Sequence, residues 1–461
     1  MTQKTLLYAI GCKLDAVYRT RIEANSLAKH IGLTLWDIGD SARTSEESAY
    51  SHHTHITLPM RHMIWRILPK ARNLLLRHGK WKMGLLLGLF WLILLPLSIR
   101  GAAPQSDTSQ TSPEASSKDR VKKCLRRLGL YNHGKCIAFI VLMLRHSLTH
   151  YAAWLRDPKP YDIISIKDVD CLLFGVLLKL QTGSKLIYNC YEFSAHTMPE
   201  MPRWASWFIL RYERGLIDQV DTIITVTPSM ADQIRIAHKL FIPITWVPNV
   251  DPLPTSSAQQ KHDLFEQANG RIIFYYQGTF SAERGLDELI SAWQHVDSTK
   301  ACLFLRGPDD QNQRKYKTQA EHLGLNNNAV YFLPPIAGST KESLEESLGF
   351  LQAIDVGLIL YDPACANNLN ACPRKLSHYL LAGRVLLSTP MLYVKSVIDE
   401  ASCGLTLSAL SPEAIAKGVE RIVADKAVLA HYKENALLYA KNQYHWEYHE
   451  KHYLEAVLPR D

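Results

Sequence analysis

Two basic residues stand where an apolar strand gives way to a helix. Lys375 follows the apolar run 356–360 and opens a predicted helix, while Arg284 follows the apolar run 272–276 and a turn at Gly278. The free amides of a helix start, the helix dipole and a cation together suit a phosphate or a diphosphate. For either residue alone, an ordinary strand–helix crossover with a solvated basic turn is the alternative.

Two carboxylates occupy comparable places in the first half of the chain. Asp168 follows the predicted strand 161–166, and Glu192 follows the predicted strand 185–190. Because the carboxyl ends of the strands form the ligand crevice of an open α/β sheet, both side chains are predicted to face it. There they could position an acceptor hydroxyl or act as a base. Capping of nearby helices is the alternative.

The elements that must position these residues alternate between short apolar strands and amphipathic helices, as in doubly wound α/β domains. A first strand is predicted over 5–10, a helix over 19–31 and a second strand over 33–38. We predict two Rossmann-like domains, an N-terminal one over 1–250 and a C-terminal one over 270–430.

Length and charge narrow the classes of function. The 461 residues suffice for two or three domains with real cores, and the net charge of +8 suits nucleic acid, anionic lipid or phosphorylated substrates. No zinc-finger, RNA-recognition or arginine-rich pattern supports nucleic acid. Nine cysteines without a CxxC pair indicate reduced thiols in a cytosolic protein. Cys365 and Cys372 flank the predicted phosphate loop, and a structural role is favoured over a redox one.

An insertion over about 60–155 departs from the Rossmann pattern. Its apolar stretch of seventeen residues begins at Met83, passes through Trp91 and ends at Ile99, between basic flanks. That length is at the lower limit for a bilayer span. A single crossing would place the two parts of one sheet on opposite sides of the membrane. We therefore predict a re-entrant or interfacial segment on anionic lipid, with a buried helical hairpin or an oligomer contact as the alternative.

Three further stretches accompany this prediction. Residues 104–117 have the composition of a flexible linker, and the shorter apolar run 136–144 is predicted to pack with the first. The amphipathic, aromatic stretch 201–218 is a further candidate for membrane contact.

Histidines occur in two groups with spacing that invites a metal hypothesis. The first group is His52, His53 and His55, and the second is His445, His449 and His452. Neither has a further ligand set at defined spacing. We interpret the first group as a polar loop and the second as a solvated or inter-domain helix face, and we predict no metal site.

Four stretches of the second half carry a resemblance to a known family: YQG…ERGLDELISAW, LFLRGP, YFLPPI and DVGLILY…PRKLSHYLLAGRVLLS. In order and spacing they resemble the C-terminal half of glycosyltransferase family 4, whose fold is GT-B. The resemblance runs from residue 159 to the C-terminus. It implies an α/β architecture of two Rossmann-like domains facing a cleft, with a last helix, 435–461, that crosses back to the first domain.

The resemblance also implies roles for single residues. The donor diphosphate would be held by Gly278, Thr279, Arg284 and Lys375, and nucleotide or sugar contacts would come from Gly307, Leu333, Asn370, Leu376 and His378. The family carries two glutamates where this chain has Asn370 and His378. Asp168 and Glu192 match acidic positions of the family and are the candidate catalytic residues. Arg19 and Arg21 are candidate acceptor contacts, with a surface role as the alternative.

The resemblance implies transfer of a sugar from a UDP- or GDP-linked donor to a hydroxyl, with retention of anomeric configuration and no metal or other cofactor. The apolar insertion suggests a lipid-linked glycan acceptor, as in bacterial surface-polysaccharide assembly at the cytoplasmic face of the inner membrane. A non-catalytic partner of another transferase, or a nucleotide-sugar 2-epimerase, is the alternative function.

Overall fold

The computed structural model describes residues 4–10, 18–37, 52–55, 67–80, 84, 131–196, 201–254, 263–335 and 344–458. The chain divides into two compact units. The first comprises Met1–Thr225, Ala231–Thr245 and Leu454–Asp461, and the second comprises Val226–Met230 and Trp246–Tyr453.

A seven-stranded sheet forms the centre of the first unit, with the strand order β3-β2-β1-β4-β5-β6-β7. Its strands are β1 (Thr5–Ala9), β2 (Gly32–Asp37), β3 (His52–His55), β4 (Ile163–Lys167), β5 (Lys185–Asn189), β6 (Thr222–Thr225) and β7 (Ile244–Trp246). The pairs from β3 to β6 are parallel. Every residue of β4 is buried, as expected for a parallel strand covered on both faces.

The helices of the first half of the chain cover this sheet or connect its strands. They are α1 (Tyr18–Ala28), α2 (Leu68–Arg77), α3 (Tyr131–Arg156), α4 (Asp168–Thr182), α5 (Arg203–Leu216) and α6 (Pro228–His238). The core helix α4 has eight consecutive buried apolar residues, 171–178, which explains why this part of the sequence is a continuous hydrophobic run.

The second unit contains a six-stranded sheet in the order β10-β9-β8-β11-β12-β13. Its strands are β8 (Ile272–Gln277), β9 (Ala301–Arg306), β10 (Val330–Leu333), β11 (Val356–Ile359), β12 (Val385–Ser388) and β13 (Gly404–Thr406). All its pairs are parallel. The order is that of a doubly wound dinucleotide-binding sheet, with its switch point between β8 and β11.

Nine helices are described in the second half of the chain. They are α7 (Leu286–Ala292), α8 (Gln311–His322), α9 (Leu344–Leu351), α10 (Ala366–Asn370), α11 (Arg374–Leu381), α12 (Leu392–Ala401), α13 (Pro412–Val423), α14 (Lys426–Gln443) and α15 (Trp446–Val457). The predicted fold class, two parallel α/β sheets, is confirmed.

The structure corrects three local predictions. His52–His55 is the edge strand β3 and pairs with β2, so it is no polar loop. The predicted terminal helix is two helices, α14 and α15, and His445 lies between them, so it does not share a helix face with His449. Arg284 precedes α7, in the short 3-10 turn Ala282–Arg284.

The predicted membrane segment with Met83, Trp91 and Ile99 lies outside the described residues, as does the linker 104–117. The apolar run 136–144 is part of α3. Within this helix, Asn132–Arg156 is long and apolar enough to cross a membrane, and 56% of its apolar window is buried in the protein. Partly buried core helices pass the same test, so α3 is weak evidence for a membrane span.

Candidate functional site

The two predicted phosphate-binding cations come together at the switch point of the second sheet. The strands β8 and β11 are neighbours there, Gly278 follows β8, and Tyr361 follows β11 by two residues. Lys375 is in the first turn of α11. In an open α/β sheet, the crevice beyond the carboxyl ends of the strands at this point is where ligands bind.

The ammonium group of Lys375 is held between two aromatic rings. Its Nζ lies 4.1 Å from the ring centre of Tyr276 and 5.1 Å from that of Tyr361. It is buried and has no hydrogen-bond partner among the residues that the structure describes. Burial, and then the charge of Arg284, lower the pKa of Lys375 well below its ordinary value. A buried cation in this state is suited to an incoming anion.

Arg284 approaches the same aromatic ring. Its guanidinium carbon lies 3.9 Å from the ring centre of Tyr361, and its Nε is 3.9 Å from a carboxylate oxygen of Glu283. Two basic groups therefore face one ring, and in the described part of the chain one carboxylate, at the edge of ion-pair distance, accompanies them. The arrangement leaves an excess of positive charge, which a diphosphate could neutralise.

Two glycines keep the backbone open beside Lys375. Gly278 has a φ of +146°, and a Cβ there would lie 3.4 Å from the Lys375 Nζ. A Cβ on Gly307 would lie 2.3 Å from the carbonyl oxygen of Gly278. Only glycine permits this close approach of the two loops. Thr279 is exposed, and its carbonyl accepts a hydrogen bond of 2.6 Å from the Tyr276 hydroxyl.

His378, at the family's glutamate position, faces a carboxylate of the protein itself. Its Nε2 lies 3.4 Å from Asp251, which also accepts hydrogen bonds from the guanidinium of Arg374. Asp251 is 1% exposed. Burial alone would raise its pKa, but His378 and Arg374 hold it at about 2. Sequence reasoning missed Asp251, because a lone aspartate after a proline-containing loop carries no signal of its partners.

The remaining predicted donor contacts differ in how accessible they are. Asn370 is 8% exposed and donates to the carbonyl of Ala366. Leu376 is fully buried, so its side chain lies in the protein interior. Leu333 ends β10 and is buried. Side-chain contact between a donor and Leu376 therefore has no support from its position, and the roles of Asn370 and Leu333 stay predictions.

In the first unit, Asp168 has an unusual backbone. It connects β4 directly to α4 and has a φ of +54°, in a region where non-glycine residues are strained. Its carboxylate lies 3.8 Å from the Lys167 ammonium and accepts a 3.4 Å hydrogen bond from the Tyr191 amide. Strained backbone at a strand end is typical of functional positions.

The pKa of Asp168 is raised to about 6, mainly by burial, although 39% of the side-chain surface is exposed. The neighbouring charges of Glu192 and Asp170 raise it further, and Lys167 lowers it. Glu192 itself is exposed. The charge of Glu192 therefore contributes to the raised pKa of Asp168, which lies in the range that suits an acid–base group.

A buried glutamate that sequence reasoning missed is linked to Asp168 through Tyr191. Glu23 is fully buried and accepts hydrogen bonds from Tyr8, Tyr191 and, at 2.5 Å, the Nε of Arg19. The guanidinium of Arg19 and the ammonium of Lys167 each lie 5.4 Å from the ring centre of Tyr191. Arg19 is thus part of an internal network and is 9% exposed.

Because Arg19 is largely buried and bound to Glu23, its side chain is less available to an acceptor than the sequence suggested. Arg21 is half-buried on the same helix, and its predicted contact with an acceptor stays a prediction. Arg19 instead packs on Tyr191, whose amide holds Asp168.

Within the described ranges, no three His, Cys, Asp or Glu side chains are grouped so that they could hold a metal ion. His445 lies 3.0 Å from Glu447, and the ring centre of His449 is 6.5 Å from that of Trp246. The free cysteines include Cys372, whose thiol contacts the Tyr444 hydroxyl and the Asn249 amide in a buried site. This packing is consistent with the structural role predicted for Cys372.

Residues 102–249 match the model of the glycosyl transferase 4-like domain. The chain is also similar to an uncharacterized glycosyltransferase of Methanocaldococcus jannaschii, with 21% identity over 191 residues. That alignment covers 41% of this chain and 45% of the relative, so the match spans less than half of either protein. The matched domain lies mostly in the first unit, whereas the four stretches that resemble family 4 lie in the second.

Solved structures with the same fold cover nearly the whole chain. Sucrose-phosphate synthase from Thermosynechococcus elongatus has 13% identity and a TM-score of 0.63, covering 98% of this chain and 97% of that one. HepE from Anabaena, in complex with UDP, has 13% identity and a TM-score of 0.61, covering 98% of each chain. WaaG, a glycosyltransferase involved in lipopolysaccharide biosynthesis, has 12% identity and a TM-score of 0.57, covering 98% and 100%. The predicted GT-B fold and the family resemblance are confirmed.

Proposed function

We propose that this GT-B chain, with its glycosyl transferase 4-like domain, is a glycosyltransferase that moves a sugar from a nucleotide-sugar to a hydroxyl group. One observation carries the proposal. The buried ammonium of Lys375, without a hydrogen-bond partner in the described part of the chain, lies beside Gly278 and shares the ring of Tyr361 with Arg284. A nucleoside diphosphate supplies the negative charge that this group lacks.

In the transfer, the bond between the sugar C1 and the diphosphate oxygen breaks, and the leaving oxygen keeps the electron pair. Lys375, protonated once the diphosphate is bound, and Arg284 stabilise the charge that develops on that leaving group in a partly desolvated site. The acceptor oxygen forms the new bond to C1 and loses its proton. Asp168, ionised above about pH 6, takes that proton or orients the hydroxyl, and Glu192 stands beside it.

Finer parts of the proposal concern the donor and the acceptor. The HepE complexes with UDP and with UDP-glucose support a UDP-linked donor, with GDP as the alternative. The role of WaaG in lipopolysaccharide biosynthesis supports a lipid-linked glycan acceptor and a place in bacterial surface-polysaccharide assembly. We propose that the protein works at the cytoplasmic face of the inner membrane, as a peripheral or monotopic protein. The segment that begins at Met83 would contribute to this membrane association.

We further propose that the anomeric configuration is retained and that no metal is required. The cations of the second unit would take the charge-neutralising role that a metal has in other transferases. Equal transfer rates with and without a chelator such as EDTA would support the metal-free mechanism, and loss of activity with EDTA would overturn it.

The test begins with a thermal-shift panel of UDP, GDP, ADP, CMP and their sugar conjugates. One nucleotide should raise the melting temperature of the parent, and the shift should be absent in Arg284→Ala. The matching nucleotide-sugar is then incubated with lipid-linked acceptors, and nucleotide release and glycosylated lipid are measured together. Nucleotide binding without transfer would favour a non-catalytic partner of another transferase. No shift with any compound would overturn the donor site.

A further inference from the structure

We propose that the outer faces of α3 and α5 form a docking surface for an anionic phospholipid bilayer. This surface consists of His133, Ile137, Arg203, Trp204, Trp207 and Arg211. The inference rests on the proposed function only in that a lipid-linked acceptor gives the chain a reason to meet a bilayer. The proposed contact involves only residues that the structure describes, and it does not include the apolar segment that begins at Met83.

On α3, the side that carries His133 also carries Ile137, which is 54% exposed. The exposed residues Lys135, Leu142 and Arg145 lie on another side of this helix and are not part of the surface. The helix contains no aspartate or glutamate. Since 56% of its apolar window is already buried, α3 lies largely against the protein, and Ile137 is exposed apolar surface on the side of His133.

On α5, the outward side is aromatic and basic. Trp207 is 62% exposed and Trp204 is 39% exposed. Arg203 and Arg211 are exposed and lie four residues to either side of Trp207, on the same helix side. The single acid of this helix, Glu213, is 1% exposed and points inward, where it accepts from the Tyr188 hydroxyl. The outer face of α5 therefore presents no negative charge.

The two faces adjoin. The Trp204 indole donates a 2.8 Å hydrogen bond to His133 of α3, and the two rings stack with centres 6.0 Å apart. Ile137 is one turn further along the side of α3 that carries His133. Ile137, the indoles of Trp204 and Trp207 and the guanidinium groups that flank Trp207 thus lie on adjoining sides of the two helices.

The chemistry of the surface selects its occupant. Tryptophan and arginine are the side chains that favour the headgroup region, where an indole ring or a long basic side chain can be half in lipid and half in water. A second copy of this chain would bring the same basic face against itself, with arginine against arginine. An anionic bilayer supplies both the apolar depth and the opposite charge, and we commit to it.

The experiment uses the full chain in vesicle co-sedimentation. The parent should bind vesicles of phosphatidylcholine mixed with phosphatidylglycerol and bind phosphatidylcholine alone at least roughly tenfold more weakly, since each basic residue near the surface adds attraction. Trp207→Ser should weaken binding at least roughly fivefold, and Arg203→Gln combined with Arg211→Gln should remove the preference for anionic lipid. Phe241→Ser is the matched control, because Phe241 is a fully exposed aromatic residue elsewhere in the first unit.

Three results would overturn the proposal. If the α5 variants bind vesicles like the parent, the contact lies elsewhere, with the segment at Met83 as the next candidate. If Trp207→Ser changes a dimer into a monomer in sedimentation velocity and leaves vesicle binding unchanged, a second copy covers the surface. If phosphatidylcholine alone binds equally well, the charge argument is wrong. The nucleotide thermal shift is measured on the same variants. Its absence in the parent, with vesicle binding intact, would count against the proposed function alone.

Discussion

Replacing Lys375 by methionine removes the buried ammonium and keeps an unbranched, flexible side chain of similar length. In the ligand-free protein the ammonium has no hydrogen bond to lose among the described residues, and burial and Arg284 already disfavour its charge. The melting temperature of unliganded Lys375→Met should therefore stay close to that of the parent. The effect is expected when a nucleoside diphosphate is present.

The magnitude follows from the hydrogen bonds that the ammonium gains on binding. Nζ lies beside the open backbone at Gly278, with two aromatic rings around it, so a diphosphate oxygen becomes its hydrogen-bond partner. A hydrogen bond to a charged group contributes about 1.5–3 kcal/mol. At about 1.4 kcal/mol per factor of ten, the dissociation constant should rise roughly 10- to 100-fold in the variant.

Isothermal titration calorimetry with the nucleotide chosen by the thermal-shift panel measures this change. It also detects proton uptake. The pKa of Lys375 is low in the free protein, and a bound diphosphate raises it because the charged form is then favoured. Binding should therefore take up a proton at pH values between the two, and affinity should fall as the pH rises through the lower one. Proton uptake appears as a dependence of the binding heat on buffer ionisation enthalpy, and Lys375→Met should lose it.

Lys300→Met is the matched control, since this lysine belongs to the same unit, is 64% exposed and pairs with Asp297. It should bind nucleotide like the parent. Equal dissociation constants for Lys375→Met and the parent would refute the assignment of a diphosphate to this ammonium. If the variant melts well below the parent, Arg284→Gln provides the same test on the second basic group at the Tyr361 ring.

Three shorter predictions concern other parts of the structure. The rate of sugar transfer should rise from about pH 5 to about pH 7 as Asp168 loses its proton, and Asp168→Asn should lower it at least 100-fold and remove this rise, as a pH–rate profile would show. Asp251→Asn should lower the free energy of unfolding at neutral pH by about 2 kcal/mol. Because the folded pKa of Asp251 is about 2, below its ordinary value, denaturant titrations should show this difference above about pH 4 and its loss as the pH falls toward 2. Gly307→Ala brings a methyl group against the Gly278 carbonyl and should cost about 1–3 kcal/mol in thermal unfolding, whereas Gly134→Ala, whose methyl group meets no atom within 4 Å, should leave stability unchanged or higher.

Local sequence signals were enough to place the main elements. Alternating apolar strands and amphipathic helices predicted two parallel sheets, and the predicted strand 185–190 differs from β5 by one residue at its end. Because Arg284 and Lys375 follow apolar strands, they were predicted to lie near the carboxyl edge of the second sheet. Asp168 was predicted to lie at the carboxyl edge of the first sheet because it follows a strand there. These inferences depend on the order of residues along one element, which the sequence contains.

Local signals failed in two places, at the edge strand β3 and at the break in the predicted C-terminal helix. The sequence of β3 was predicted to be a loop because all of its residues are polar. Its pairing with β2 makes it an edge strand. The break at Tyr444 and His445 divides the C-terminal helix although the residues around it keep a helical composition. In both places contacts outside the segment override its own propensity.

The sequence by itself therefore determined the two-sheet α/β class and the positions of the candidate cations and carboxylates at strand ends. Only the tertiary structure decided what surrounds them. Lys375 is enclosed by Tyr276 and Tyr361, and the hydroxyl of Tyr191 reaches Glu23 from 168 residues away. The physical reason is that burial, pKa and hydrogen bonding depend on groups that strand order brings together, whereas sequence periodicity reports only which face of its own element a residue occupies.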